Sequence, residues 1–263
     1  MELINQFSSH PDYIFLLFLR VSGLLISSPI FGRRNVPRIA KVGFCMVISA
    51  VFLMALPAPK TYPVWNGVIA YMLLCVRELL FGIAMGFVMS TMFDLVLTGG
   101  SMIDTQIGFS MMSLYDTQSN SQAPITGTLF QLLETVLFFG MDGHLRIIDV
   151  LYATIERVPV GKAMLTPNIA WVAAKVMSAS FVLSLMMAMP IIAAGIMLDL
   201  ALGAIIRTVP QMNMFVVGIP LKIVVGLLVL AGTFPLFMDL SKEITAQMFS
   251  LINQAFACIG SVG

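Results

Sequence analysis

Eleven ionisable side chains lie inside or at the edges of long apolar runs: Arg20, Arg77, Glu78, Asp94, Asp104, Glu134, Lys175, Asp199, Arg207, Lys222 and Asp239. The chemistry open to such groups is pairing. Each is unfavourable by about 2.5 to 3.5 kcal/mol at a bilayer centre, so it either snorkels from a helix end or meets an opposite charge within protein. Catalytic patterns are missing. The two histidines, His10 and His144, have no H-E-x-x-H spacing, and neither G-x-S-x-G nor G-x-x-x-x-G-K-[ST] occurs. Tyr115-Asp116 has the look of half an intramembrane aspartyl site, but no second glycine-flanked Asp supplies the partner carboxyl. Cys45, Cys75 and Cys258 are odd in number, widely spaced and set in apolar runs, which points to small buried hydrophobes and away from a disulfide framework or a metal cluster. The expectation is a protein with no catalytic residues, no metal and no cofactor, which is not an enzyme.

The elements that carry these charges are apolar throughout. Of 263 residues, 59% are hydrophobic before the 20 glycines are counted, against about 45 to 50% with glycine in soluble domains. Only 10% are charged, and the mean hydropathy is +0.98. A net charge of +1 leaves no electrostatic footprint for a nucleic acid. The amino terminus has no basic residue before Arg20 and no small-residue cleavage site, and is expected to be uncleaved.

Apolar runs extend over Tyr13–Phe31, Val42–Leu56, Val64–Ile107, Asn168–Val209 and Met212–Leu240, with an amphipathic tail over Ser241–Ile259. The third would be about 66 Å long as one helix, twice a hydrocarbon core of about 30 Å. It must bend, break or leave the membrane, with Gly82, Gly86, Gly99 and Gly100 as its expected weak points. Pro190 should kink the fourth run. Ser110–Pro124 reads as a polar loop, and Thr126–Met141 with His144–Arg157 as two short helices about the Asp142-Gly143 turn. The last two long runs meet at Val209-Pro210-Gln211 as a helical hairpin. With no strand-period alternation, the fold class is all-α, of integral-membrane type with long kinked helices and helical hairpins.

Buried charges on overlong helices suit packing against other protein chains better than facing lipid, which implies a subunit of a larger helical assembly. Lys60, Lys162, Arg207 and Lys242 do not alternate with the basic stretch Arg33–Lys41 across the spans, so the positive-inside rule assigns no topology. Most of the 21 methionines read as gap-filling core residues, whereas Met111-Met112 stands between Gly108 and the polar loop, where no helical core is evident.

One run carries a resemblance. From Gly195 to Lys222 the chain reads GIMLDLALGAIIRTVPQMNMFVVGIPLK, and this resembles the signature of the FliR family, the R components of the flagellar type III export gate, together with their virulence-secretion counterparts. Arg20 followed by Pro29-Ile-Phe-Gly32, then Pro37, then Arg77-Glu78 with Gly82 and Gly86, occurs in the family's order. The resemblance covers essentially the whole chain, and on that whole-chain basis is flagellar.

The resemblance implies a subunit of a helical hetero-oligomeric export gate in the bacterial inner membrane, at the flagellar basal body, through which unfolded flagellar substrates pass. It implies P and Q subunits as partners, with the export-switch membrane protein FlhB and the basal-body ring beside them, and a gate raised above the membrane plane. Residues 1–157 would be similar to a P subunit and 158–263, a carboxy-terminal hairpin, to a Q subunit. The loop 108–124 would correspond to the family's plug, made here by Gly108, Phe109, Ser110, Met111, Met112, Ser113, Leu114, Tyr115 and Asp116. Bulky, adaptable side chains on a glycine-hinged loop can exclude ions when closed and deform around varied sequences when open.

Asp199 and Arg207, eight residues apart, share a helix face but are too distant for a direct pair. They should reach neighbouring segments or subunits. Arg20, Arg77, Glu78, Asp199, Arg207, Gln211, Asn213 and Lys222 are the expected interfacial or structural residues. The alternative reading is a secondary transporter with helices broken near Pro190, Pro210 and Pro220, although no inverted repeat is visible.

Overall fold

Apolar runs of this length satisfy their backbone polar groups internally only as helices, and the described residues form helices joined by short connections. The computed structural model describes residues 11–32, 36–56, 62–110, 124–164, 166–209 and 214–260. Its helices are α1 (Pro11–Ser27), α2 (Arg38–Ala55), α3 (Val68–Ile107), α4 (Ile125–Gly140), α5 (Gly143–Arg157), α6 (Asn168–Thr208) and α7 (Met214–Gly260). No strand occurs among the described residues. The protein is all-α, and α2, α3, α6 and α7 each contain a stretch long and apolar enough to cross a membrane.

Local chemistry sets the ends. Pro11 opens α1 and Pro37 immediately precedes α2, positions where a missing N–H costs nothing. Between α4 and α5, Asp142 takes the left-handed conformation at φ 57°, which suits an Asp in a turn. Gly108 ends α3 at φ 99°, a conformation that favours glycine.

The chain forms two compact units, residues 1–91, 142–176 and 247–263 in the first and 92–141 and 177–246 in the second. In the first, Leu16, Leu17 and Leu24 of α1 and Phe81, Met85 and Met89 of α3 are all buried. Gly82-Ile-Ala-Met-Gly86 is a G-x-x-x-G spacing, and a Cβ at Gly82 would collide with the backbone of Arg20 and Gly23. In the second unit, Phe93 stacks edge-on against Phe138 at 5.2 Å and Phe130 meets Phe237 at 4.5 Å. A Cβ at Gly100 would fall on the backbone of Gly127, and one at Gly99 would meet Ser184.

Several expectations change here. The third run is an unbroken 40-residue helix, about 60 Å long. Its glycines are contact points where helices approach closely and not breaks, because neighbouring backbones fill the space a side chain would take. α1 stops at Ser27 after 17 residues, short of the expected Phe31. Pro190 lies within α6, where a kink and not an end of the helix was expected, and Pro220 and Pro235 lie within α7, which in a change from the expectation also absorbs the separate tail. The 186–189 methionines divide by helix face: Met187 is buried while Met186 and Met189 are exposed. Between 11% and 28% of the four membrane-length apolar stretches is buried within the chain, so most of that surface must be covered by lipid or protein.

Candidate functional site

Among the described residues, a fully enclosed ion pair forms a clasp in the first unit. Arg20 occupies the buried face of α1, four residues from Leu16 and Leu24, and Glu78 occupies that of α3. The Arg20 Nε donates to Glu78 Oε2 at 2.6 Å and its Nη2 to Oε1 at 3.1 Å, the bidentate arrangement a planar guanidinium favours. Its Nη1 donates to the carbonyls of Val158, the residue just past α5, at 2.8 Å and of Thr154, in the last turn of α5, at 3.2 Å; the Thr154 carbonyl also accepts from the Val158 N–H at 3.0 Å. The Gly161 N–H donates to Glu78 Oε1 at 2.7 Å. The guanidinium also lies 4.5 Å over the Phe81 ring. With side-chain exposures of 0% and 1%, both charges are cut off from solvent, with four of the five guanidinium N–H groups and both carboxylate oxygens engaged. Such a group fastens helices.

The second unit holds its charges differently. Lys222 Nζ of α7 pairs with Asp199 Oδ1 of α6 at 2.5 Å, with 24% and 39% of the side chains exposed. A pair between residue nine before the end of α6 and residue nine of α7 sets those helices antiparallel. The same register brings Gly195 and Gly226 to the end of α3, where Gln106 sits against the first and Ile107 against the second. Asp104 of α3 accepts from the Thr126 N–H through both carboxylate oxygens, at 3.2 Å each. It thereby caps α4, whose own N-cap is Pro124 and makes no side-chain cap. This bond ties together the two ends of the segment between α3 and α4.

Glu134 is wholly buried in the second unit. Among the described residues no group meets full hydrogen-bond geometry at either carboxylate oxygen, and the Ser241 hydroxyl is its one donor neighbour; the Thr245 hydroxyl, one turn further along α7, is likewise unbonded.

The expected site residues are therefore distributed. Arg20 joins Glu78, and Asp199 joins Lys222, whereas Arg77 is exposed on α3 and Arg207 is exposed in the last turn of α6. Gly108 faces open space, Phe109 is half-buried, and the Ser110 hydroxyl is 3.4 Å from that of Thr105. Met111, Met112, Ser113, Leu114, Tyr115, Asp116, Gln211 and Asn213 lie outside the described residues. Missing from the expectation were the Asp104–Thr126 cap and the glycine contacts. The G-x-x-x-G spacing at Gly82 and Gly86 was the available signal for the latter. Among the described residues no three His, Cys, Asp or Glu side chains converge as a metal site would require.

Residues 13–248 match the family model described as bacterial export proteins, family 1. The chain is 33% identical over 248 residues to the flagellar biosynthetic protein FliR of Escherichia coli strain K12, covering 94% of each. It is 30% identical over 250 residues to the flagellar biosynthetic protein FliR of Bacillus subtilis strain 168, covering 93% of this chain and 95% of that one. With the FliR protein of Aquifex aeolicus strain VF5 it shares 27% identity over 223 residues, 85% of each chain.

Proposed function

Since the chain belongs to the bacterial export proteins, family 1, we propose that it is a core channel subunit of the flagellar type III export gate, assembling with P and Q subunits into the conduit for unfolded flagellar proteins. It is a membrane-embedded flagellar export protein, a transport component and not a known kind of enzyme. Similarity to FliR proteins along nearly its whole length carries this reading. The outward apolar faces of the four membrane-length helices support an assembled state, since a lone chain leaves most of them uncovered.

In this reading residues 1–157 act as a P-like part and 158–263 as a Q-like hairpin, which lets one chain close a ring of P and Q subunits. FlhB and the basal-body ring adjoin the gate in the bacterial inner membrane, with the gate raised above the membrane plane. The segment after Gly108 is the plug, formed by Gly108, Phe109, Ser110, Met111, Met112, Ser113, Leu114, Tyr115 and Asp116. Its base has physical support in the positive φ of Gly108 and the Asp104–Thr126 tie, which join a free hinge to a fixed return. Arg77, Arg207, Gln211 and Asn213 serve at interfaces or at the α6–α7 turn, while Arg20–Glu78 and Asp199–Lys222 hold helices in place. Of the breaks that motivate the transporter alternative, those at Pro190 and Pro220 fall in unbroken helices, where no half-helix ends are available to build such a site, and Pro210 lies outside the described residues.

The test is the native mass of the protein after co-expression with P and Q subunits and extraction in mild detergent. A discrete high-mass complex with one copy of this chain is expected, and a monomer with unbound partners would overturn the reading. In that complex, deleting Ser110–Asp116 should raise ion leakage with assembly intact; unchanged conductance would remove the plug assignment.

A further inference from the structure

Asp94, Thr98, Ser101 and Thr105 lie along one line of α3. At 3.6 residues per turn they fall within an arc of about 60° and rise about 16 Å. Asp94, Thr98 and Thr105 are exposed and Ser101 is half-exposed. The packed side of this stretch, including Val96, Ile103 and Ile107, is on the opposite side of the helix. The polar line therefore faces away from everything the second unit holds on α3.

Its chemistry is one-sided. The Thr98 hydroxyl donates to the Asp94 carbonyl at 3.0 Å, Ser101 to the Thr98 carbonyl at 2.7 Å, and Thr105 to the Ser101 carbonyl at 2.8 Å. Each hydroxyl proton is thus engaged by the helix itself, which leaves the oxygen lone pairs of Thr98 and Ser101 to accept, while the Thr105 oxygen is also 3.4 Å from the Ser110 hydroxyl. The Asp94 carboxylate adds further acceptor oxygens. The line offers acceptors and one carboxylate, with no donor of its own.

The same helix supplies an internal comparison. Val76, Leu80, Ile83 and Phe87 stand eighteen residues, or five turns, before Asp94, Thr98, Ser101 and Thr105 respectively, on the same line. All four are exposed and apolar, as suits lipid or an apolar partner. Back-bonded Ser and Thr are tolerated in lipid, but a carboxylate in register with three of them is not.

We propose that Asp94, Thr98, Ser101 and Thr105 line the aqueous conduit and accept hydrogen bonds from the backbone N–H groups and basic side chains of an extended polypeptide in transit. This rests on the export-gate reading above. Successive oxygens rise about 4.5 to 6 Å along the helix, comparable to the spacing of about 6.6 Å between N–H groups on one edge of an extended chain. Every sequence carries backbone N–H groups, so an acceptor line can contact all substrates without selecting among them, and the carboxylate favours basic segments.

Single cysteines at positions 98, 101 and 105, and at 83 and 87 as controls, test the proposal in a background with Cys45, Cys75 and Cys258 changed to Ala. The complex with P and Q subunits is treated in isolated membranes with a membrane-impermeant methanethiosulfonate sulfonate, with and without an export substrate arrested by a folded carboxy-terminal fusion. T98C, S101C and T105C should label about tenfold or more faster than I83C and F87C, and arrested substrate should slow them several-fold. If they label no faster than the controls in an intact complex, the line is covered by a partner and the inference fails while the export-gate reading stands. If they label fast but arrested substrate gives no protection, the wall is wet and the substrate contact is wrong. Failure of the unsubstituted chain to form the complex would overturn the export-gate reading and this inference with it.

Discussion

Glu78 and Glu134 are both wholly buried carboxylates on apolar helices, and their surroundings could hardly differ more. Around Glu78 a guanidinium and a backbone N–H take up both oxygens, and four of the guanidinium's five N–H groups are bonded in turn. Glu134 has no backbone or charged partner among the described residues and one donor neighbour, the Ser241 hydroxyl, which falls short of full hydrogen-bond geometry. A buried charge is tolerable where geometry is closed and costly where it is open. The first unit thus contains a polar centre that is complete within one chain. The second has buried Asp104 bonded to the Thr126 N–H but keeps other polar groups open, half-exposed as in Asp199–Lys222 or facing outward as on α3.

The sharpest way to test this contrast is to open the closed centre. Glu78→Ala leaves the Arg20 charge buried without a counterion and frees the Gly161 N–H, a loss of about 3 to 5 kcal/mol. Thermal unfolding of the detergent-extracted chain should show a large drop in melting temperature, or no folded protein at all. Changing both partners to leucine should recover much of it, since an apolar pair of similar volume leaves no orphan charge. If Glu78→Ala melts like the unsubstituted protein, the clasp is not what fastens α1, α3 and the end of α5.

Next in size are the glycine contacts. Gly100→Val would force α3 away from Gly127 of α4, and overpacking of this kind costs about 1 to 3 kcal/mol. Gly203 is a control of opposite sign: a Cβ there meets nothing within 4 Å, in mid-helix. Gly203→Ala should therefore stabilise the isolated chain by up to about 1 kcal/mol. Melting curves of the two variants should move in opposite directions. Equal shifts would mean that helix propensity and not close approach governs both positions.

What could be read beforehand follows the range of each interaction. Helix length, proline positions and the polar stretch after Gly108 are local properties, and the described elements fall within a few residues of the expected ones. Arg20 and Glu78 were recognisable as charges needing partners, but 58 residues separate them, and periodicity on one helix does not say which distant helix it faces. Gly82, Gly86, Gly99 and Gly100 misled for the same reason. Glycine is a weak helix former by local propensity, and its value for close packing becomes visible only when the second helix is in place. Asp199 was legible as a residue reaching another segment; Lys222 as its mate required the antiparallel register of α6 and α7.

Glu134 gives an effect of inverted sign. Glu134→Met removes an unsatisfied carboxyl and fills the space with an apolar chain, so the isolated protein should gain about 1 kcal/mol or more in thermal stability. The same change at Glu78 should be strongly destabilising. A fall in melting temperature for Glu134→Met would show that the carboxyl is held by the Ser241 hydroxyl beside it, and would erase the contrast between the units.

The smallest expected effect is at Asp199–Lys222. Its short distance invites a large figure, but the side chains remain 24% and 39% exposed, and pairs of that kind contribute about 0 to 1 kcal/mol. Lys222→Ala should barely move the melting temperature of the isolated chain. In the co-expressed complex the outcome depends on what covers the pair: if a neighbouring subunit dehydrates it, removing the lysine strands Asp199 in a buried interface, and the yield of complex should fall well beyond what the isolated chain suffers. Asp199→Asn with Lys222→Met, which removes both charges, should then restore assembly. Equal and minor losses in both settings would mean that the pair stays wet in the assembly, leaving the antiparallel packing of α6 and α7 to their apolar faces and to the seats that Gly195 and Gly226 provide for Gln106 and Ile107.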